Sequence, residues 1–138
     1  MTQYIDPTKE QFGVFKDLPL DERVQMLNLV KLNDVATYED GRTTSGAEAY
    51  QAYGKTSGAV FRKLGGKIIW TGDFQFTLIG PDDEDWDIAF IAEYPSGQAF
   101  VDMIRDPDYR EAVKHRQAAV KTSRLIRMKP KESGISLG

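Results

Sequence analysis

Apolar residues recur at every second position in some stretches of the chain and at helical spacing in others, and each change of period marks a new element. Val24 to Leu32 alternates, with Val24, Met26, Asn28, Val30 and Leu32 on one face and Leu27 and Leu29 on the other. This predicts a strand apolar on both faces, broken only by Asn28. From Ala47 to Leu64 the period lengthens: Tyr50, Tyr53, Ser57, Val60, Phe61 and Leu64 form one helical stripe, and Gly65-Gly66 supplies a left-handed stop. Gly54 and Gly58 fall inside this helix at a cost of about 1 kcal/mol each relative to Ala, which predicts a kink or a close backbone approach.

Lys67 to Leu78 predicts a long second strand with Ile68, Trp70, Phe74, Phe76 and Leu78 sharing a face and a bulge at Gly72. Ile88 to Tyr94 alternates again and is ended by Pro95. Ser96 can cap a helix carrying Ala99, Phe100, Met103 and Ile104, and Asp106-Pro107 both stops that helix and starts another. The stripe of this last helix is Tyr109, Ala112, Val113, Arg116 and Val120, with Arg116 where a hydrophobe is expected. Ser123 to Met128 is the last strand. Ahead of these elements, Asp6-Pro7 can cap a short helix bearing Phe12 and Phe15, while Asn33 to Gly46 is polar and turn-rich. The order strand, helix, strand, strand, helix, strand is the ferredoxin-like α+β pattern, here with an extra N-terminal helix.

One domain is the simplest division of 138 residues: an N-terminal helical arm over 1–22, the α+β domain over 23–129 and a polar tail over 130–138. One chain has helices enough to cover one face of its sheet. Strands apolar on both faces therefore predict a homodimer in which the second faces bury each other. A net charge of -3 offers no general attraction to nucleic acid or anionic membrane. The absence of cysteine removes disulfides, thiolate ligands and thiol nucleophiles, and a single histidine leaves no basis for a transition-metal site, so no cofactor is expected. No apolar run approaches the roughly 20 residues of a membrane span, and the N-terminal residues lack the core of a signal peptide, so a cytoplasmic protein is expected.

Several short stretches carry a resemblance. Tyr94-Pro95-Ser96, Ala99-Phe100, Asp106-Pro107-Asp108-Tyr109, His115-Arg116-Gln117-Ala118-Ala119 and Ser123-Arg124-Leu125 resemble the domain of unknown function 1330 family. Met26-Leu27-Asn28-Leu29, Ala49-Tyr50, Tyr53, Gly65-Gly66, Trp70-Thr71-Gly72 and Ile79-Gly80-Pro81 extend the likeness over residues 6 to 128. The resemblance implies a dimeric α/β barrel. That superfamily includes cofactor-free monooxygenases, lactone isomerases and haem-degrading enzymes, some of the last using an Asn, a Trp and a His. Asn28, Trp70 and His115 are present here, but Trp70 lies on the second strand and His115 deep in a late helix, so those roles are not carried over.

Candidate site residues are polar or amphipathic groups set on or beside apolar stripes, since such groups orient a ligand in a mainly apolar pocket. Asn28, Trp70, His115 and Arg116 meet that description, and Tyr38 in the loop after the first strand could close over them. Arg116 could take a substrate carboxylate and His115 could move a proton near neutral pH, making these two the catalytic candidates. The plainer alternatives are an ion pair from Arg116 to Glu93 or Asp73, a core role for Trp70 and an amide of Asn28 bonded to a neighbouring loop. Three functions follow: a cofactor-free oxygenase- or isomerase-like enzyme with a pocket between sheet and helices, a small-ligand-binding or stress-related dimer without turnover, or a purely structural dimer.

Overall fold

A computed structural model describes residues 2–131; the predicted tail beyond Lys131 lies outside the described residues. Four antiparallel strands form the main sheet: β1 (Val24–Leu32), β4 (Lys67–Gly72), β5 (Ile88–Tyr94) and β6 (Val120–Met128), in the order β4-β5-β1-β6. With α2 (Gly46–Lys63) between β1 and β4, and α3 (Gly97–Arg105) and α4 (Pro107–Ala119) between β5 and β6, this is the ferredoxin-like fold. A small hairpin of β2 (Val35–Thr37) and β3 (Thr43–Ser45) occupies the stretch whose polarity had suggested only a loop.

Register decides which side chains face the helices. Val24, Met26, Asn28 and Val30 of β1 stand opposite Tyr94, Ala92, Phe90 and Ile88 of β5, and Asn28 opposite Leu125 of β6, so all share the helix-covered face. Val24, Met26, Ala92 and Tyr94 are buried there with Val60 of α2, Ala99, Phe100 and Met103 of α3, and Tyr109 of α4. The opposite face carries Leu27, Leu29 and Ile91 beside the exposed Trp70, Ile126 and Met128.

Local chemistry fixes the helix ends. Ser45, Ser96 and Asp106 accept hydrogen bonds from the first-turn amides of α2, α3 and α4, and Pro107 begins α4. Gly65 adopts φ of +85° two residues past the end of α2, just after the cap residue Leu64, the left-handed stop that the sequence predicts. The N-terminal helix, α1 (Lys9–Asp17), is capped by Thr8 rather than by Asp6-Pro7. Thr8 wins because its hydroxyl bonds the Gln11 amide while the Gln11 side chain returns to the Thr8 amide, a reciprocal box that Asp6 has no partner to form. Phe12 and Phe15 of α1 pack against the core, Phe15 with its ring 4.8 Å from that of Phe100.

The second strand differs most from expectation. It ends at Gly72, and its bulge lies between Ile68 and Trp70 rather than at Gly72. One extra residue inverts the alternation, so Ile68 faces the helices and Trp70 the other side. Gly72 instead gives room to the indole: a Cβ there would come within 2.6 Å of the Trp70 ring. Beyond it the chain leaves the sheet, and Phe76, Leu78 and Ile79 are almost fully exposed. Val120, expected on the last helical stripe, is the first residue of β6. Among the described residues no helix is long and apolar enough to cross a membrane.

Candidate functional site

Between the helix-covered face of the sheet and helices α2 and α4 lies a cavity of about 1550 Å³ that opens to solvent. Its floor includes Asn28, Ile88, Phe90 and Leu125; α2 contributes Tyr50, Tyr53, Gly54 and Ser57, and α4 contributes Tyr109, Val113 and Arg116. The two helices run antiparallel, since Ala49 clusters with Ala118 and Ala119 at one end while Tyr53 reaches Tyr109 nearer the other. They lean on each other above the sheet, and the space beneath them stays unfilled.

Gly54 borders this space. α2 is continuous from Gly46 to Lys63, and a Cβ built on Gly54 would meet nothing within 4 Å. Neither a kink nor a close approach accounts for this glycine; it is exposed and borders the cavity, so a side chain there would project into open space. Gly58 faces the Arg62 side chain of its own helix, 3.1 Å from a built Cβ.

Three of the wall's polar groups are the phenols of Tyr50, Tyr53 and Tyr109. The Tyr53 and Tyr109 hydroxyls are 3.0 Å apart, and the rings of Tyr50 and Tyr53 have centroids 5.4 Å apart. Burial pushes the Tyr50 and Tyr109 phenols well above the ordinary tyrosine range, and the neighbouring Tyr53 adds to the effect. They are therefore neutral hydroxyls near pH 7, able to donate or accept a hydrogen bond. Asn28 donates its side-chain amide to the Met26 carbonyl of its own strand at 3.0 Å, rather than to a loop, and its side chain lies on the cavity floor.

Arg116 borders the same cavity but is engaged from the N-terminal side. It donates to the Ile5 carbonyl and to Ser123 Oγ at 3.1 Å, and Asp6 Oδ1 lies 3.9 Å away. Neither Glu93 nor Asp73, the partners expected from sequence, is among its hydrogen-bond or ion-pair partners in the described residues; Glu93 faces the helix-free side, where Gln25, Arg23 and Lys67 surround it. Residues 4–6 strap the free edge of β6: the Ser123 amide donates to the Tyr4 carbonyl at 2.7 Å and the Tyr4 amide to Thr122 Oγ1 at 3.0 Å. Arg116 is thus the side chain that ties α4, β6 and this strap together.

The predicted cluster is only partly assembled. Asn28 and Arg116 meet at the cavity, whereas Trp70, His115 and Tyr38 are not among its lining residues. Trp70 is turned to the helix-free face by the bulge and is 49% exposed, which also removes it from the helix-side core. His115 lies one step round α4 from Arg116 and faces the hairpin, where its Nδ1 is 2.6 Å from the Tyr38 hydroxyl. Tyr38 is held there rather than over the cavity, its ring edge-on to His115, packed against the alanine cluster of Ala36, Ala49, Ala118 and Ala119, and with the Arg42 guanidinium 4.2 Å from the ring centre. Sequence reasoning passed over Tyr50, Tyr53 and Tyr109 as site residues, although the signal was present: three tyrosines on the stripes of two helices that both cover one sheet face.

The comparisons agree with this architecture. A family model described as "Domain of unknown function (DUF1330)" matches residues 42–128. The crystal structure of RPA0582, a protein of unknown function from Rhodopseudomonas palustris, is 61% identical with a TM-score of 0.91, covering 96% of this chain and 100% of that one. The methylated form of RPA0582 gives a TM-score of 0.93 at the same identity, over 98% of this chain and 100% of that one. SnoaB, a cofactor-independent oxygenase from Streptomyces nogalater, is 17% identical with a TM-score of 0.50, over 81% of this chain and 96% of that one, a likeness of fold alone. No curated protein matches the chain.

Proposed function

We propose that this chain, which belongs to the DUF1330 family, binds a small organic molecule in the cavity between its sheet and helices. The observation that carries this reading is the cavity itself, lined by Tyr50, Tyr53 and Tyr109 and bordered by the exposed Gly54. A glycine in mid-helix costs about 1 kcal/mol, and here no turn, positive φ or backbone approach requires it. A planar ligand in the cavity would meet the aromatic walls and neutral hydroxyls of Tyr50, Tyr53 and Tyr109. The cavity exceeds the roughly 300–1,000 Å³ of ordinary ligand pockets, which suits an extended rather than a compact occupant. Asn28 and the phenols would orient it.

A panel of aromatic compounds, screened by thermal shift on the native chain and on Gly54→Trp, tests the reading. Compounds that raise Tm in the native chain should have a smaller effect on Gly54→Trp, whose indole would narrow the cavity. Equal shifts in both proteins would place binding elsewhere and end the proposal.

Turnover of the cofactor-free oxygenase or isomerase kind would need a base at the bound substrate. Asp6 is the one carboxylate lining the cavity among the described residues, and His115 faces the hairpin, so the geometry supports binding ahead of catalysis.

The exposed apolar face supports a homodimer. Trp70, Ile126 and Met128 surround Leu27, Leu29 and Ile91 on the helix-free side, and the segment bearing Phe76, Leu78 and Ile79 extends from the end of β4. Pairing two such faces about a two-fold axis would bury both and let each segment lie along its partner, closing the barrel.

A further inference from the structure

The one histidine of the chain is not at the cavity but against a tyrosine outside it. His115 Nδ1 lies 2.6 Å from the Tyr38 hydroxyl, with the two rings edge-on. A phenol is a stronger acid than a neutral imidazole N–H, so the hydroxyl is the donor and Nδ1 the acceptor, which leaves the ring proton on Nε2.

The hairpin is seated without this contact. Ala36 of β2 is fully buried against Ala49, Ala118 and Ala119, and Asn33 just ahead of it donates its backbone amide to the Ala119 carbonyl at 2.8 Å and its side-chain amide to the Ala118 carbonyl at 3.2 Å. The turn that carries Tyr38 closes on itself, the Tyr38 amide donating to the Arg42 carbonyl and the Gly41 amide to the Tyr38 carbonyl, both at 2.9 Å. Tyr38 and His115 are each partly exposed, so a small molecule reaches the pair from solvent. No carboxylate bonds the imidazole among the described residues, and Glu111, one turn earlier on α4, pairs with Lys114 at 3.0 Å.

A hydroxyl held within hydrogen-bond reach of a general base is the arrangement that activates a side chain for attack on a carbonyl carbon. We infer that Tyr38 and His115 form a reactive centre separate from the cavity, in which Tyr38 is the nucleophile toward activated carboxylic esters. As Tyr38 Oη bonds to the ester carbonyl carbon, its proton passes to His115 Nδ1. The ester C–O bond then breaks, its electron pair leaving on the alcohol or phenol oxygen, and the imidazolium gives up its proton to that oxygen or to water. The acyl group stays on Tyr38 as a phenyl ester. Nothing in this step depends on what the cavity binds.

Tyr4 supplies a comparison within the same molecule. It is 53% exposed and has the Arg124 guanidinium 5.0 Å from its ring centre, much as Tyr38 has that of Arg42, but the only histidine is at Tyr38. The native chain is treated with p-nitrophenyl acetate, and acetylation of each tyrosine is followed by peptide mass spectrometry. Tyr38 should be acetylated roughly tenfold faster than Tyr4 or more, short of the about 10²–10⁴ of a fully engaged base because no third group orients the imidazole. His115→Gln should bring Tyr38 down to the rate of Tyr4 and leave Tyr4 unchanged. Tyr4 reacting as fast as Tyr38 in the native chain, or Tyr38 undiminished in His115→Gln, overturns the inference. A rise at Tyr4 in the variant marks unfolding, and the native comparison of the two tyrosines then decides by itself.

Discussion

Replacing Arg116 by Ala tests the account of the N-terminal strap. The guanidinium is 13% exposed and makes two hydrogen bonds, to the Ile5 carbonyl and to Ser123 Oγ, with Asp6 at the edge of ion-pair range. Hydrogen bonds from a charged donor contribute about 1.5–3 kcal/mol each, so the two set an upper bound near 6 kcal/mol. The loss should be smaller, because Ser123 Oγ still donates to the Tyr4 carbonyl and Ile5 lies where water can reach it. The pair with Asp6, half-exposed, contributes no more than about 1 kcal/mol. A net loss of about 2–3 kcal/mol follows, or a fall in Tm of roughly 6–12 °C for a chain of this size. Urea unfolding measures the first figure. Hydrogen exchange at the Ser123 amide, which donates to the Tyr4 carbonyl, reports whether the strap has loosened. Arg116→Lys keeps the charge without the planar fork and should recover less than half of the loss. A change under about 0.5 kcal/mol with Ser123 still protected would show that the strap is held by the β6 edge alone and that Arg116 is free for a ligand.

Three further outcomes are expected. Gly65→Ala should destabilise the chain by about 1–2 kcal/mol in urea unfolding, because φ of +85° strains any L side chain and the new Cβ would lie 3.2 Å from Pro95. The Glu93 carboxyl is held below its ordinary pKa, first by the hydrogen bond from Gln25 and then by Arg23 and Lys67, so its contribution is full above the unfolded carboxylate pKa and is lost as pH falls through the lower folded value. Glu93→Gln should accordingly cost stability at pH 7 and progressively less toward pH 3, read from Tm against pH; a constant difference would refute the linkage. Sedimentation at micromolar concentration should give about twice the 15.6 kDa chain mass, and Trp70→Glu with Ile126→Glu should reduce it to the monomer.

The fold was legible wherever a local pattern and a tertiary demand agree. The alternation of β1 and β5, the caps at Ser96 and Asp106 and the stop at Gly65 each have a short-range cause, and each appears where the residues place it. The second strand was misread because a bulge leaves no mark on a sequence of continuous apolar residues. Ile68, Ile69 and Trp70 fit either face, and only pairing with β5 shows which residue is extra. The hairpin at Val35–Ser45 was hidden for the opposite reason: its strands are three residues each and mostly polar, stabilised by Ala36 against Ala49, Ala118 and Ala119 rather than by their own pattern.

The site was harder to read than the fold because its defining feature is missing matter. A stripe such as Tyr50, Tyr53, Ser57 and Val60 shows which side of a helix is buried, but not whether the facing layer fills the space opposite. At Val60 it does, and the residue is 5% exposed in the core. At Gly54, six residues and nearly two turns earlier, a side chain would meet nothing. The same limit separated His115 from Arg116. Adjacent positions on a helix differ by about 100° in direction, enough to send one side chain to the cavity and the strap and the other to the hairpin. Sequence stripes place residues on faces to within roughly that angle, so a pocket assembled from neighbours at a stripe edge will usually include one that turns away.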